Sequence, residues 1–222
     1  MNKLTKNRNL MKTTIPMVAL FLLFQQTITA QNLNNKVEQS IVTIGTTLKE
    51  IPAERLLLLD QVAYSLFKKS NNNKKTLVVF IDQSNQELSQ LASIWLKTGL
   101  FYYGRQDRFN IQSAGINPKI KALSSIASLN DYGFKTRKVR GEHPMTYKIK
   151  YGSGSWLAFP KALKSLPITK NDPFKIVLEQ THNSQDEDSV ELFISEPNSI
   201  AREMLYITTR INHLINTSAK TQ

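Results

Sequence analysis

The chain has 222 residues, 41% hydrophobic and 21% charged, which suits one domain with a real core and a helical appendage. It has no cysteine and three histidines, His143, His182 and His213, none paired at ligand spacing. That composition excludes disulfides, thiolate metal sites and a cysteine nucleophile, and it argues against a histidine metal site.

At the N-terminus Lys3, Lys6, Arg8 and Lys12 precede an unbroken apolar run, Ile15 to Phe24, followed by "QQTITAQ" with Ala30 at a cleavage position. The apolar run is about half of the roughly 20 residues that a membrane-spanning helix needs. Residues 1–30 therefore read as a signal peptide, with Met11 as an alternative start, and the mature protein as exported, periplasmic or secreted, without a stable membrane anchor. Of the 29 Lys and Arg, four fall in that segment, so 25 stand against 17 Asp and Glu in the rest, a net charge of +8. The basic residues are scattered (Lys74/Lys75, Arg137/Lys138/Arg140, Lys161/Lys164) without interleaved aromatics, so no nucleic-acid platform is expected and they read as solvated faces. Association with anionic envelope polymers through the +8 charge is a rival role.

Residues 31–73 read as a helical segment: Val37, Ile41, Ile44 and Leu48 step along one face, and a second helix opens after Pro52 with Leu56, Leu59, Val62, Leu66 and Phe67 as its apolar set. Residues 74–218 then read as an α/β domain. Thr76 to Ile81 form a strand buried on both faces, and "LSQLASIW" continues as a helix that Gly104 stops. "RFNIQSAG" is a second strand, "NPKIKALSSIASLNDYGF" a helix, "HPMTYKIKYGSGSWLAFPKAL" strand-like with a Gly/Ser turn, and "FKIVLE" a buried strand. An acidic loop with His182, Asp186, Glu187 and Asp188 follows, then "VELFISEP" and a last helix from Ser199 to about Ile215. Strands alternating with helices predict a parallel sheet with helices on both faces. Trp95, Tyr102 and Tyr103 read as core, and the acidic loop as solvated rather than chelating.

The order of these pieces resembles a bacterial, exported branch of the low-molecular-weight protein-tyrosine-phosphatase and arsenate-reductase superfamily. The residues that carry the likeness are Ser89, Leu91, Ala92, Trp95, Tyr102-Tyr103-Gly104, Ser113, Gly115, Asn117-Pro118 and Ile200 to Tyr206. The resemblance implies a central parallel sheet flanked by helices and a phosphate loop of the form C-T-H-N-S-R-R-S. Anchored on Ser89 and Trp95, it sets Asp82 where the family has its nucleophilic cysteine and Gln83, Ser84, Asn85 and Gln86 at T-H-N-S. It sets Leu88 where the family has the arginine that holds phosphate oxygens. Glu196-Pro197 takes the place of the family's general-acid Asp-Pro.

The chemistry needs a thiolate nucleophile and a bidentate guanidinium. Losing a central nucleophile costs on the order of 10⁴–10⁶ in rate, and two parts of the unit are replaced here. The degenerate loop thus implies a non-catalytic member with no cofactor and no metal. Its vestigial loop, Gln83 to Glu87 with Ser89, becomes a ligand site, and its partner becomes a protein, a small ligand or an anionic envelope component. A rival reading is a hydrolase using Asp82 as nucleophile or base with Glu196 as acid. The loop itself reads as a capping box, S-x-x-E, with Ser84 capping the N–H of Glu87 and Glu87 reaching back, and with Asp82 at the positive helix end. In that reading side-chain oxygens stand where phosphate oxygens would.

Overall fold

A computed structural model describes residues 32–71, 75–119, 124–167, 172–180, 189–194 and 196–220. The expected signal peptide, the acidic loop with His182 and the start of the "NPKIKALSS" segment lie outside them. Among the described residues no helix is long and apolar enough to cross a membrane.

The chain opens with α1 (Asn35–Thr46) and α2 (Ala53–Ser70). Asn34 caps α1, its side-chain oxygen accepting the N–H groups of Lys36 and Val37 while its amide donates to the carbonyls of Gly133 and Tyr151. β1 (Thr76–Asp82) follows, and all seven of its residues are buried, as its β-branched and aromatic run requires of a strand covered on both faces. It leads into α3 (Leu88–Tyr102), which ends at Gly104 in a left-handed turn (φ 64°): Arg105 N–H reaches the Leu100 carbonyl and Gly104 N–H that of Phe101. β2 (Phe109–Gly115), β6 (Phe174–Val177) and β7 (Ser189–Glu191) join β1 in a parallel sheet of order β2-β1-β6-β7. α4 (Ile200–Ser218) closes the fold against α2 and α3.

The β1 side chains divide between two clusters, as the period of two demands. Val78 and Phe80 enter the main core with α2, α3 and α4, where Trp95 meets Tyr132 and Phe134 edge-on at 5.0 and 5.7 Å. Leu77, Val79 and Ile81 face a smaller cluster with Ala114 and Val177. Among the described residues Ile116, Leu163 and Leu166 pack half-buried against that second cluster. The described part of the segment after β2, expected as a helix, forms a 3₁₀ helix, Ser124–Tyr132, that contributes Ile126 and Leu129 to the main core.

A second sheet was not foreseen. β3 (Lys135–Lys138), β4 (Tyr147–Lys150) and β5 (Ser155–Ala158) form an antiparallel meander. Its inner face carries Ile149, and Trp156 stacks on Tyr151 at 4.2 Å, so Trp156 packs inward as much as it meets solvent. Tyr102, expected in the core, is 41% exposed because it is the last residue of α3, while Tyr103 bonds Thr209 at 2.9 Å.

Candidate functional site

β1 ends on Asp82, and residues 83–87 bend the chain into α3. Asp82 is 2% exposed, at the carboxyl end of a parallel strand where α/β folds place ligands. One of its carboxylate oxygens accepts the main-chain N–H of Asn85, and the other accepts that of Ser89 at 2.9 Å. The bend depends on Asn85, which has φ 50°, a left-handed conformation that asparagine tolerates better than most residues.

Asn85 is fully buried and its side-chain amide makes three hydrogen bonds. Its Nδ2 donates to Ser89 Oγ at 2.8 Å, and its Oδ1 accepts from the N–H of Lys161 at 2.9 Å and from Gln90 Nε2 at 3.1 Å. Gln90 Nε2 also reaches the Phe159 carbonyl at 2.9 Å. On the other side, the turn after β2 holds the loop carbonyls: Ile116 N–H bonds Asp82, Asn117 bonds Gln83 and Lys119 bonds Ser84, at 3.1, 2.8 and 3.1 Å. Gly115 lets the two strands of chain meet, since a Cβ there would lie 2.7 Å from the Asn85 nitrogen. The loop is thus braced by the β2 turn, by residues 159–161 and by its own first residue.

Burial pushes the Asp82 carboxyl above its ordinary value of 3.8, and the charge of Glu179 adds to that; the Ser89 N–H and hydroxyl and the Asn85 N–H pull the other way and do not cancel it. Glu179 lies two residues beyond β6, the neighbour of β1, and its carboxylate accepts the N–H of Gln83. Two carboxylates therefore take three main-chain N–H groups of the loop, at Gln83, Asn85 and Ser89.

This arrangement corrects the expected capping box. α3 starts at Leu88, Glu87 stands before it with φ −131° and no side-chain cap, and the acceptor for the first helical turn is Asp82. Ser84's carbonyl accepts the N–H of Lys119 beside the left-handed bend at Asn85, and the Asp82 carboxyl group stands at the strand end where it takes the N–H groups of Asn85 and Ser89. Of the other loop residues, Gln83 and Glu87 are exposed. Gln86 bonds the Lys119 carbonyl and accepts from Ser125, both at 3.3 Å. Leu88 packs half-buried against the core. Glu196 is exposed before a 3₁₀ turn leading to α4, where its carbonyl accepts from Ser199. The carboxylate brought to the loop beside Asp82 is Glu179, which the sequence reading passed over as the end of "FKIVLE". Part of its signal was in the sequence, an acidic residue at the exit of a buried strand; that this strand neighbours β1 is set by the sheet order.

Beside the loop lies a cleft of about 390 Å³, lined by Glu87, Leu91, Trp95, Asp131, Pro197 and Ala201 among others. Its charged lining is two carboxylates, with no Lys or Arg. Among the described residues no group of three acidic or histidine side chains is placed to hold a metal ion.

The chain matches no family profile and no curated protein. It is similar to solved structures. One is a thioredoxin-dependent arsenate reductase of Corynebacterium glutamicum, at 20% identity over 92% of this chain and 95% of that one, with a TM-score of 0.37. A second is a protein tyrosine phosphatase from Entamoeba histolytica, at 10% identity over 67% of this chain and 100% of that one, with a TM-score of 0.40. A third is a low-molecular-weight phosphotyrosine phosphatase from Vibrio cholerae, at 18% identity over 66% and 98%, with a TM-score of 0.34.

Proposed function

We propose that this is a phosphatase-like protein without phosphatase or arsenate-reductase turnover, exported by a signal peptide of residues 1–30 that is then cleaved, whose loop serves a non-catalytic binding role. The observation that carries the reading is the Asp82 carboxylate bonded to the N–H groups of Asn85 and Ser89. Those donors sit at a helix start, where an incoming oxyanion would otherwise be received. Glu179 takes a third donor, and Glu87 and Asp131 line the adjoining cleft, so a phosphate dianion approaching this face meets carboxylates. Leu88 offers no hydrogen bond where transition-state charge would need a guanidinium. The face instead suits a neutral or cationic partner.

The test measures melting temperature with and without phosphate, arsenate and vanadate, alongside aryl-phosphate turnover. No saturable shift and no turnover are expected. A saturable shift would mean that the loop N–H groups are free to bind oxyanions. Divalent-metal-dependent turnover abolished by Asp82→Asn would establish the rival hydrolase. For export, the mass of the mature protein recovered from the producing cell is expected to begin at Gln31; an intact N-terminus would overturn that part.

A further inference from the structure

The antiparallel sheet pairs like charges. Lys135 stands opposite Lys150 and Arg137 opposite Lys148 in the β3–β4 ladder, and β5 continues the register with Ser155 beside Lys150 and Leu157 beside Lys148. Side chains alternate along a strand, so these six share one face, opposite the one that buries Ile149. In sequence the basic residues looked scattered; two strands and a hairpin bring four of them together. Directly opposed like charges destabilise a sheet, and here both opposed pairs on this face have the same sign. Among the described residues none of the four is in an ion pair, although Lys69, Lys75, Arg55, Arg202 and Arg210 all have carboxylate partners.

The face is also concave. A groove of about 420 Å³ is lined by Lys135, Arg137, Lys148 and Lys150 with Ser153 and Ser155, and no carboxylate lines it. Ser153 Oγ accepts the N–H of Asn32 at 3.1 Å, which leaves its own O–H to donate. Cations therefore recur about 6.6 Å apart along each strand and about 5 Å apart across the pair, in two rows with hydroxyl donors at one end.

We propose that this groove is a docking surface for a linear phosphodiester polymer. Each repeat of such a polymer keeps one full negative charge and offers two non-bridging oxygens. Those oxygens match the Arg137 fork, the three ammonium groups and the serine hydroxyls. The neutralised charge would also relieve the two like-charge pairs. The groove lies on the antiparallel sheet, apart from the Asp82 loop, so this inference stands or falls independently of the reading of that loop.

The test titrates the protein with a short abasic phosphodiester oligomer, which carries the backbone without bases, over a series of salt concentrations. Four contacts predict a slope of log K against log salt of about −3, from about −0.7 per phosphate on a single strand. Arg137→Gln with Lys148→Gln should weaken binding about tenfold or more and reduce the slope by about 1.4. Lys135→Gln with Lys150→Gln should do the same, so the test does not rest on the folding of one variant. Neither pair should lower the melting temperature, since each removes a like-charge contact. Lys49→Gln with Lys68→Gln, on helical segments elsewhere, should change neither affinity nor slope. Absence of binding overturns the proposal. So does equal loss in the Lys49/Lys68 variant, which would mean diffuse attraction, and so does equal affinity for polyglutamate, which would mean an acidic protein partner instead.

Discussion

Truncating Asp82 to alanine tests whether the loop is held shut by its own carboxylate. The change removes the acceptor of two N–H groups, those of Asn85 and Ser89, in a position only 2% exposed. Each buried donor left without a partner costs about 1–3 kcal/mol, and relief of the buried carboxylate charge returns part of that. A net loss of about 2–4 kcal/mol is expected. With a urea slope of about 2–3 kcal/mol/M, the midpoint should fall by roughly 1–1.5 M. The two freed donors then face a helix start with no anion of their own, so phosphate at about 100 times its Kd should restore about 2.7 kcal/mol to the variant and nothing to the wild type. A variant within about 0.5 kcal/mol of wild type, or a wild type that phosphate stabilises as much as the variant, would refute the reasoning. The pH dependence supplies a second reading. The folded Asp82 carboxyl titrates above 3.8, so the native state holds the proton more tightly than the unfolded chain. The stability linked to that proton is fully present below pH 3.8 and is lost as pH rises through the folded value. Asp82→Asn cannot titrate, so the advantage of wild type over this variant should shrink with rising pH across that window; an advantage that grows would contradict the assignment.

Gly115→Ala would set a methyl group 2.7 Å from the Asn85 nitrogen and 2.9 Å from the Ser84 carbonyl carbon, both main chain, and should cost about 1–3 kcal/mol, read as a drop in melting temperature. Glu203→Ala breaks the two-bonded contact with Arg55 (2.6 and 2.9 Å) between α2 and α4, and should cost about 3–5 kcal/mol in chemical denaturation. Arg55→Met with Glu203→Leu should recover most of it. The Lys97 ammonium, desolvated by burial and faced by Lys161, is lowered to about 8 from 10.5. The unfolded chain then binds the proton more tightly, so stability should rise as pH climbs from about 8 to 10.5, and Lys97→Met should flatten that rise.

The parallel sheet was legible because β1 is nearly pure composition: seven consecutive buried residues leave a strand no solvent face, and the helical spacing that follows dates its end to within a turn. The antiparallel meander was legible only in part: the stretch that holds β4 and β5 reads as strand-like around a Gly/Ser turn, but β3 is four residues long with three of them charged, so Lys135–Lys138 has no apolar phase to announce it. The 3₁₀ helix at Ser124–Tyr132 was read as part of a longer helix for a related reason. Ile126 and Leu129 recur at a spacing of three, which both periods accommodate, and only the hydrogen-bond pattern separates them.

At the loop, sequence spacing located the residues and missed their division of labour. A capping box looks forward three residues from Ser84 to Glu87 within one segment, and that is all a linear motif can express. The groups that occupy the loop's donors come from the strand before it and from a strand about a hundred residues later: Asp82 and Glu179 meet at Gln83 because β1 and β6 are neighbours in the sheet. Asn85 in turn bonds Lys161, whose carbonyl bonds Gly115, so the bend is fixed by pieces that the sheet order brings together. A carboxylate at residue 82 is consistent with every one of these contacts. It satisfies the donors of a helix start, it leaves Leu88 free to pack, and with Glu179, Glu87 and Asp131 it makes this end of the sheet acidic. The cations of β3 and β4 stand on a separate sheet. With the loop donors held by its own carboxylates as proposed, any anion that this protein binds is expected on the meander, where β3 and β4 gather cations, and not in the loop.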